Sequence, residues 1–158
     1  MERSARFSPC RNYRYSLWRN WRGLFPNARG YAMFIGLNPS TADETADDPT
    51  IRRCVAFARS WGYEGLCMAN LFAFRATKPL DMMAADDPIG PDNDQALCAL
   101  AETAGVVVAA WGVNGCWLDR HNEVRRMIPK LHYLRLTKAG YPAHPLYLPK
   151  TLKPLLWA

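Results

Sequence analysis

The loop Asn38-Pro39-Ser40-Thr41 carries side chains that can bind a small polar ligand. Asn38 offers an amide donor and an amide acceptor, and Ser40 and Thr41 offer hydroxyl groups. Pro39 restricts the backbone between them. The loop follows an apolar run that ends at Leu37, so it is expected at the carboxyl end of a buried strand. Open α/β sheets bind ligands at that end, and the loop is therefore predicted to form part of a binding site.

Three further segments place polar or aromatic side chains at the ends of apolar runs. Asn70 ends the second run, and Arg75 in the loop after it is a candidate ligand for an anionic group. Trp111 and Gly112 end the third run, and His144 lies in the C-terminal tail. Because the strands of a parallel sheet end on one face, we expect these segments and the Asn38 loop to converge on one substrate site.

The elements that must position these segments follow from the apolar patterning. Short apolar runs predict buried parallel strands at Tyr31–Leu37, Leu66–Phe72, Val106–Trp111 and Leu131–Leu136. Apolar residues at helical spacing predict helices at Pro49–Gly62, Asp92–Thr103 and Trp117–Ile128. This alternation predicts an α/β fold, a three-layer αβα sandwich around a mostly parallel four-stranded central sheet. The segment Tyr13–Trp21 is expected to add an N-terminal edge strand.

Length and composition limit the classes of protein to consider. The 158 residues fit a single domain over 1–158, and 49% apolar with 22% charged residues is ordinary for a globular protein. No run of about 18 apolar residues is present, so no membrane partner is expected. The five cysteines have no C-x-x-C spacing, which predicts no zinc site, no iron–sulfur cluster and a cytoplasmic location. No cofactor and no oligomeric state are indicated.

Basic and aromatic residues alternate near the N-terminus. Seven arginines fall within the first 30 residues and only Glu2 opposes them there. Arg14, Arg19 and Arg22 are interleaved with tyrosines and tryptophans, a combination that can contact phosphates and stack on bases. The same alternation is typical of an edge strand with solvated arginines and buried aromatic side chains. Both interpretations remain open at this point.

Acidic residues cluster just after the Asn38 loop. Asp43, Glu44, Asp47 and Asp48 form a local negative field that repels phosphates unless a cation is bound or the carboxylates point away. Asp43, Asp47 and Asp48 are therefore weak candidates for holding a divalent cation. The alternative for Asp48 is structural, because Asp48-Pro49 is a favourable cap and first turn for a helix.

Several motifs resemble those of the domain of unknown function 1643 family, over about residues 13–149. They are Tyr13-Arg-Tyr-Ser-Leu-Trp18, Gly36-Leu-Asn-Pro-Ser-Thr-Ala-Asp43, Asp48-Pro-Thr-Ile-Arg-Arg-Cys54, Asn70-Leu-Phe-Ala-Phe-Arg-Ala-Thr77, Gly90-Pro-Asp-Asn93, Ala110-Trp-Gly112 and His144-Pro-Leu-Tyr-Leu-Pro149. This resemblance implies no established activity.

The order of four motifs also resembles the uracil-DNA glycosylase superfamily, in particular its mismatch-specific branch. The similar segments are Gly36-Leu-Asn-Pro-Ser40, Leu66-Cys-Met-Ala-Asn70, Val106-Val-Val-Ala-Ala-Trp-Gly112 and His144-Pro-Leu-Tyr147. The resemblance implies a uracil-DNA-glycosylase-like fold.

This second resemblance also implies roles for single residues. Asn38 would place a water near the sugar C1′, and Asn70 would bind the Watson–Crick edge of a flipped base. His144 would stabilise negative charge on the departing base. Tyr147 replaces part of the last motif, and its ring could stack on a base or pack against the C-terminal Leu-Leu-Trp.

Three functions are therefore considered. The first is an enzyme that binds a nucleobase and cleaves or modifies an N-glycosidic bond in nucleic acid. The second is a metal-assisted enzyme acting on a free nucleotide or nucleoside, and the third is a non-catalytic nucleic-acid-binding module. A Ser-His hydrolase through Ser40 and His144 is weaker, because the Gly-x-Ser-x-Gly turn is missing from the sequence.

Overall fold

The computed structural model describes residues 1–21 and 30–158, in which a seven-stranded mixed sheet is flanked by helices. Its strands are β1 (Glu2–Phe7), β2 (Arg14–Asn20), β3 (Tyr31–Gly36), β4 (Gly65–Asn70), β5 (Val106–Ala109), β6 (Leu131–Tyr133) and β7 (Leu155–Leu156). Its α-helices are α1 (Pro49–Ser60), α2 (Pro79–Met83), α3 (Asn93–Thr103) and α4 (Arg120–Met127). Short 3-10 helices cover Val113–Asp119 and Pro145–Tyr147.

The strand order is β1-β2-β4-β3-β5-β6-β7. The four central strands run parallel, with Met33 of β3 paired to Cys67 of β4 on one side and to Val107 of β5 on the other. The outer strands β1, β2 and β7 pair antiparallel with their neighbours. The predicted α/β class is confirmed. The sheet as a whole is mixed and has seven strands, where a mostly parallel sheet of four central strands was predicted, because antiparallel strands extend the parallel centre on both sides.

The strand β2 lies inside the sheet and not at its edge. Its outer neighbour is β1, where Arg3 pairs with Arg19, and its inner neighbour is β4, where Leu17 pairs with Met68. The sequence of β1, Glu-Arg-Ser-Ala-Arg-Phe, lacks an apolar run and gives no strong strand signal. Strand β1 covers the outer edge of β2, and the first four residues of β2 are buried.

Helices cover both faces of the sheet, because successive residues of a buried strand point to opposite sides. Phe34 of β3 belongs to the core under α1, together with Phe57 of that helix. Its neighbour Met33 belongs to the opposite core, with Leu97 of α3 and Val124 of α4. The chain thus forms helix, sheet and helix layers, and the carboxyl ends of β3, β4 and β5 share one edge of the middle layer.

Helix α1 begins at the residues that the sequence indicated. The Asp48 carboxylate accepts a hydrogen bond from the Ile51 amide at 2.8 Å, and Pro49 occupies the first turn. The side chain thereby satisfies one of the amide groups left open at a helix start. The helix expected from Trp117 instead begins at Arg120, because Leu118 and Asp119 adopt left-handed backbone angles.

Candidate functional site

A cavity of about 390 Å³ opens at the carboxyl ends of the central strands. Asn38 after β3, Asn70 at the end of β4 and Trp111 and Gly112 after β5 all line it, and His144 completes the wall from the C-terminal tail. The volume lies within the range of small-molecule sites, which is about 300–1,000 Å³. Segments that are distant in the sequence therefore contribute to one cavity large enough for a base or nucleoside.

Asn38 is held by its amide nitrogen. Its Nδ2 donates to the carbonyl of Ala76 at 2.8 Å and to that of Pro39 at 3.1 Å. Both hydrogen bonds that it makes within the described residues use Nδ2, so the Oδ1 atom keeps its acceptor capacity. An oriented amide oxygen at a cavity wall can accept a hydrogen bond from a bound water.

Asn70 is buried in the wall with its amide nitrogen unpaired. It is 2% exposed, and its Nδ2 has no hydrogen-bond partner among the described residues. A buried amide donor without a partner costs roughly 1–3 kcal/mol. Such a group at a cavity wall is typical of a site whose ligand supplies the missing acceptor.

Gly36 makes room for the Asn70 side chain. A Cβ atom at Gly36 would lie 2.9 Å from Asn70 Oδ1 and 2.9 Å from Met68 Cε, which is closer than carbon atoms approach one another or an amide oxygen. The last residue of β3 thus sets the position of the amide at the end of β4.

Gly36→Ala is expected to displace the Asn70 amide and weaken ligand binding in the cavity about tenfold, at a cost in stability of roughly 1–2 kcal/mol from overpacking. Calorimetric titration with uracil measures the affinity. In an Asn70→Ala background the same substitution should have little further effect on affinity, since the displaced group is gone. If Gly36→Ala still weakened uracil binding about tenfold in the Asn70→Ala background, displacement of the Asn70 amide would not be the cause.

Two buried side chains fix the backbone that follows β4. Asn93 Nδ2 donates to the carbonyls of Asn70 and Leu71, both at 3.0 Å. Arg120 Nε donates to the Leu71 carbonyl at 2.9 Å, and its Nη atoms pair with Asp94 and Glu123. These bonds satisfy carbonyls beyond the end of the ladder and orient the strand end that carries Asn70.

The wall after β5 depends on two glycines. Gly112 has φ +72° and ψ −169°, a backbone region in which side chains are strained. A Cβ at Gly115 would lie 2.2 Å from Cδ1 of Trp111, so that indole ring packs directly over Gly115. Trp111 is 2% exposed and its Nε1 is a second buried donor without a partner among the described residues.

His144 lines the cavity as a neutral imidazole. Its Nδ1 accepts a hydrogen bond from the Leu146 amide at 3.2 Å, so a neutral ring carries its proton on Nε2. Partial burial lowers the pKa of His144, and the negative charge of Asp48 opposes that shift. The Nε2–H group is therefore available at neutral pH to donate to a ligand.

The titration of His144 gives a test by nuclear magnetic resonance. We expect its imidazole to titrate below the ordinary value of about 6.5, with His144→Gln identifying its resonance. Because the unfolded chain binds the proton at the higher pKa, stability falls as the pH drops through that ordinary value. His144→Gln should remove this part of the acid sensitivity. A titration midpoint at or above the ordinary value would contradict the environment described here.

The acidic residues after the Asn38 loop form hydrogen bonds and ion pairs with other groups of the protein. Asp43 Oδ1 accepts hydrogen bonds from Thr45 and from the Ala46 amide, and these bonds lower the pKa of Asp43. Asp47 pairs with Arg19 at 2.7 Å, while Asp48 caps α1 and lines the cavity. Across residues 1–21 and 30–158, no three His, Cys, Asp or Glu side chains are grouped to hold a metal ion.

Arg14 and Arg19 are buried, contrary to the expectation of an exposed basic strand. Arg14 is 3% exposed and Arg19 is fully buried. The reason is that β2 has strands on both sides and cores above and below it. Arg14 lines the cavity and donates from Nη1 to the Ala42 carbonyl at 2.9 Å, whereas Arg19 does not line it. Arg22 lies outside the described residues.

The other predicted binding residues divide between the cavity and the surface. Ser40 lines the cavity, while the exposed Thr41 does not. The Arg75 guanidinium lies over the ring of Phe7 at 4.8 Å, outside the cavity wall. Tyr147 is 90% exposed and also lies outside that wall.

Sequence reasoning missed the part that Arg14 takes in the cavity wall and the two residues that orient the Asn70 strand end. Asn93 and Arg120 lie in helical segments, where polar side chains are ordinarily solvated. Asn93 belongs to the Gly90-Pro-Asp-Asn93 motif, to which no role was assigned from the sequence, and no spacing pattern indicates Arg120. The sequence did mark Arg14 as a possible binding residue, because it lies among aromatic residues in a predicted strand. An edge strand with solvated arginines explained the same alternation equally well.

These features define an α/β protein with a ligand-binding cavity at the carboxyl ends of its parallel strands. The sequence profile of the family described as "Protein of unknown function (DUF1643)" matches residues 14–146, and the chain belongs to that family. No curated protein and no solved structure matches the chain. Within the described residues, no helix combines the length and apolarity needed to cross a membrane.

Proposed function

We propose that this protein binds a nucleobase in the cavity and hydrolyses an N-glycosidic bond, acting on nucleic acid as uracil-DNA-glycosylase-like proteins do. The observation that carries the proposal is that Asn38, Asn70 and His144 line one cavity of about 390 Å³. Each of the three can supply a polar group that such a reaction needs. Their shared cavity is compact enough for one base or nucleoside.

The reaction assigns one task to each residue. The bond between C1′ and the base nitrogen breaks, and its electron pair leaves with the base. A water held by Asn38 Oδ1 forms the new bond to C1′ and gives up a proton to solvent, and the base anion takes up a proton. Asn70 Nδ2 donates to the edge of the extruded base, and the Nε2–H group of His144 donates to its developing negative charge.

The charges around the acidic loop support access of a nucleic acid. Glu44 pairs with Arg11 at 3.0 Å and Asp47 pairs with Arg19, so two of the four carboxylates have cationic partners. Asp43 is held by the turn that follows it, and Asp48 caps α1. This arrangement reduces the repulsion of phosphates expected from the sequence. It also occupies the carboxylates on which a metal-assisted nucleotide enzyme would depend.

The proposal is tested by base release from a panel of substrates. Oligonucleotides containing uracil, hypoxanthine, mismatches or alkylated bases, and the matching free nucleosides, are incubated with the protein, and released bases are identified by mass spectrometry. The matched control is Asn38→Ala, for which a loss of rate of about 100-fold or more is expected, since it removes the group that orients the water. Folded wild-type protein that releases no base from any substrate overturns the proposal.

A further inference from the structure

Among the described residues, three arginines are buried: Arg14, Arg19 and Arg120. A guanidinium group almost never lies fully buried without an anionic partner. Arg19 has Asp47 as its partner at 2.7 Å, and Arg120 has Asp94 and Glu123. Arg14 takes part in none of the ion pairs found within the described residues. Of these three, Arg14 is the one that lines the cavity.

The hydrogen bonds of Arg14 are also incomplete. Its Nη1 donates to the Ala42 carbonyl at 2.9 Å, while its Nε is buried and has no partner among the described residues. Burial lowers the pKa of Arg14 to about 10, and the charge of Asp48 opposes the shift. The side chain therefore remains a cation at neutral pH, buried to more than nine tenths.

The other unpaired buried groups named in the cavity wall are also hydrogen-bond donors. Asn70 Nδ2 and Trp111 Nε1 are buried donors in residues that line the same cavity. Three donors and a positive charge favour a ligand that offers acceptors and a negative charge. The cavity wall also includes Leu37 and Met68, which suits a flat heterocycle better than a phosphate group.

We propose that Arg14 holds the negative charge of the ligand, and that the cavity selects an oxo-substituted heterocycle that is anionic or becomes so as its bond to the sugar breaks. The assignment rests on the proposed function and extends it, since it names the charge and the acceptor edge of the bound base. It makes Arg14 a binding residue of the site, beside His144.

The test compares ligands that differ in charge but little in shape. Uracil is neutral at neutral pH, and barbiturate, the same ring with a third carbonyl group, is an anion. Cytosine supplies an amino-substituted control, and inorganic phosphate supplies an anion without a ring. Affinities are measured by isothermal titration calorimetry on the wild type and on Arg14→Gln, Arg14→Lys and Arg126→Gln. Arg126 is exposed on α4, so its variant controls for the loss of one charge.

We expect the wild type and Arg126→Gln to bind barbiturate at least tenfold more tightly than uracil, with cytosine weakest. Arg14→Gln should lose that preference. Arg14→Lys retains the positive charge and should therefore keep part of the preference for barbiturate over uracil. If Arg14→Gln does not fold, the lysine variant still tests the role of the charge.

The remaining outcomes separate this inference from the proposed function. Phosphate binding that depends on Arg14, without binding of any heterocycle, supports an anion site at Arg14 but overturns both the selection of a heterocycle and the base-binding function. Heterocycles that bind equally well to wild type and folded Arg14→Gln overturn the role of Arg14 and leave the function standing. Failure of all four ligands to bind overturns both.

Discussion

Arg19→Ala is expected to lower the free energy of unfolding by about 3 kcal/mol, because it removes a buried cation on which a whole loop depends. Its Nε pairs with Asp47 at 2.7 Å. Its Nη atoms donate to the carbonyls of Trp18, Asp43 and Ala46 at 2.7, 2.6 and 3.2 Å. Without this side chain the carbonyl groups lose their donor, and the carboxylate of Asp47 loses its counter-charge.

Urea unfolding and calorimetry measure this effect, and the melting temperature should fall by roughly 6–12 °C for a protein of this size. The matched control is Arg3→Ala. Arg3 pairs with Arg19 in the register of β1 and β2, but it is exposed, and its side chain makes a long hydrogen bond to the Thr45 carbonyl at 3.4 Å. Its loss should cost less than about 0.5 kcal/mol. Equal stability losses in the two variants would contradict the structural role given to Arg19.

Asn70→Ala is expected to weaken base binding while leaving the free energy of unfolding almost unchanged. The substitution removes a buried donor that has no partner in the described chain, so the free energy of unfolding should change by less than about 1 kcal/mol. Base binding should weaken about 10- to 100-fold, since the lost amide is the group assigned to the edge of the base.

Asn93→Ala gives the opposite pattern and serves as the comparison. Its Nδ2 satisfies two carbonyls, so its loss should cost about 1–3 kcal/mol of stability. Urea unfolding and titration with uracil are run on both variants. If Asn70→Ala destabilised the fold as much as Asn93→Ala while leaving uracil affinity unchanged, Asn70 would be a structural residue and not part of a binding site.

The buried centre of the fold was predictable because apolar runs leave few alternatives. The strands β3, β4 and β5 consist largely of apolar residues, and a polar or glycine residue follows each run. The start of α1 was predictable from Asp48 and Pro49, whose preferences act locally. The meeting of Asn38 and Asn70 in one cavity follows from the rule that parallel strands end on one face, whereas His144 reaches the cavity from the C-terminal tail.

What the sequence left open depends on contacts between distant residues. The strand β1 has polar residues at most positions, and only its pairing with β2 makes it a strand. Strand β1 also covers the outer edge of β2, the strand that carries the buried Arg14 and Arg19, which local pattern rules place in solvent. The partners that make burial tolerable, the Ala42 carbonyl and the Asp47 carboxylate, lie 28 residues further along the chain.

The order of the sheet places residues near the two ends of the described chain on opposite edges, with Glu2 in β1 and Leu156 in β7. Six spacings of about 4.8 Å separate those edges by roughly 29 Å. A fluorescent donor and acceptor attached near the two ends would therefore report opening of the sheet by a change in energy transfer. Neither label would touch the cavity, so ligand-dependent stabilisation could be followed optically in every variant described above.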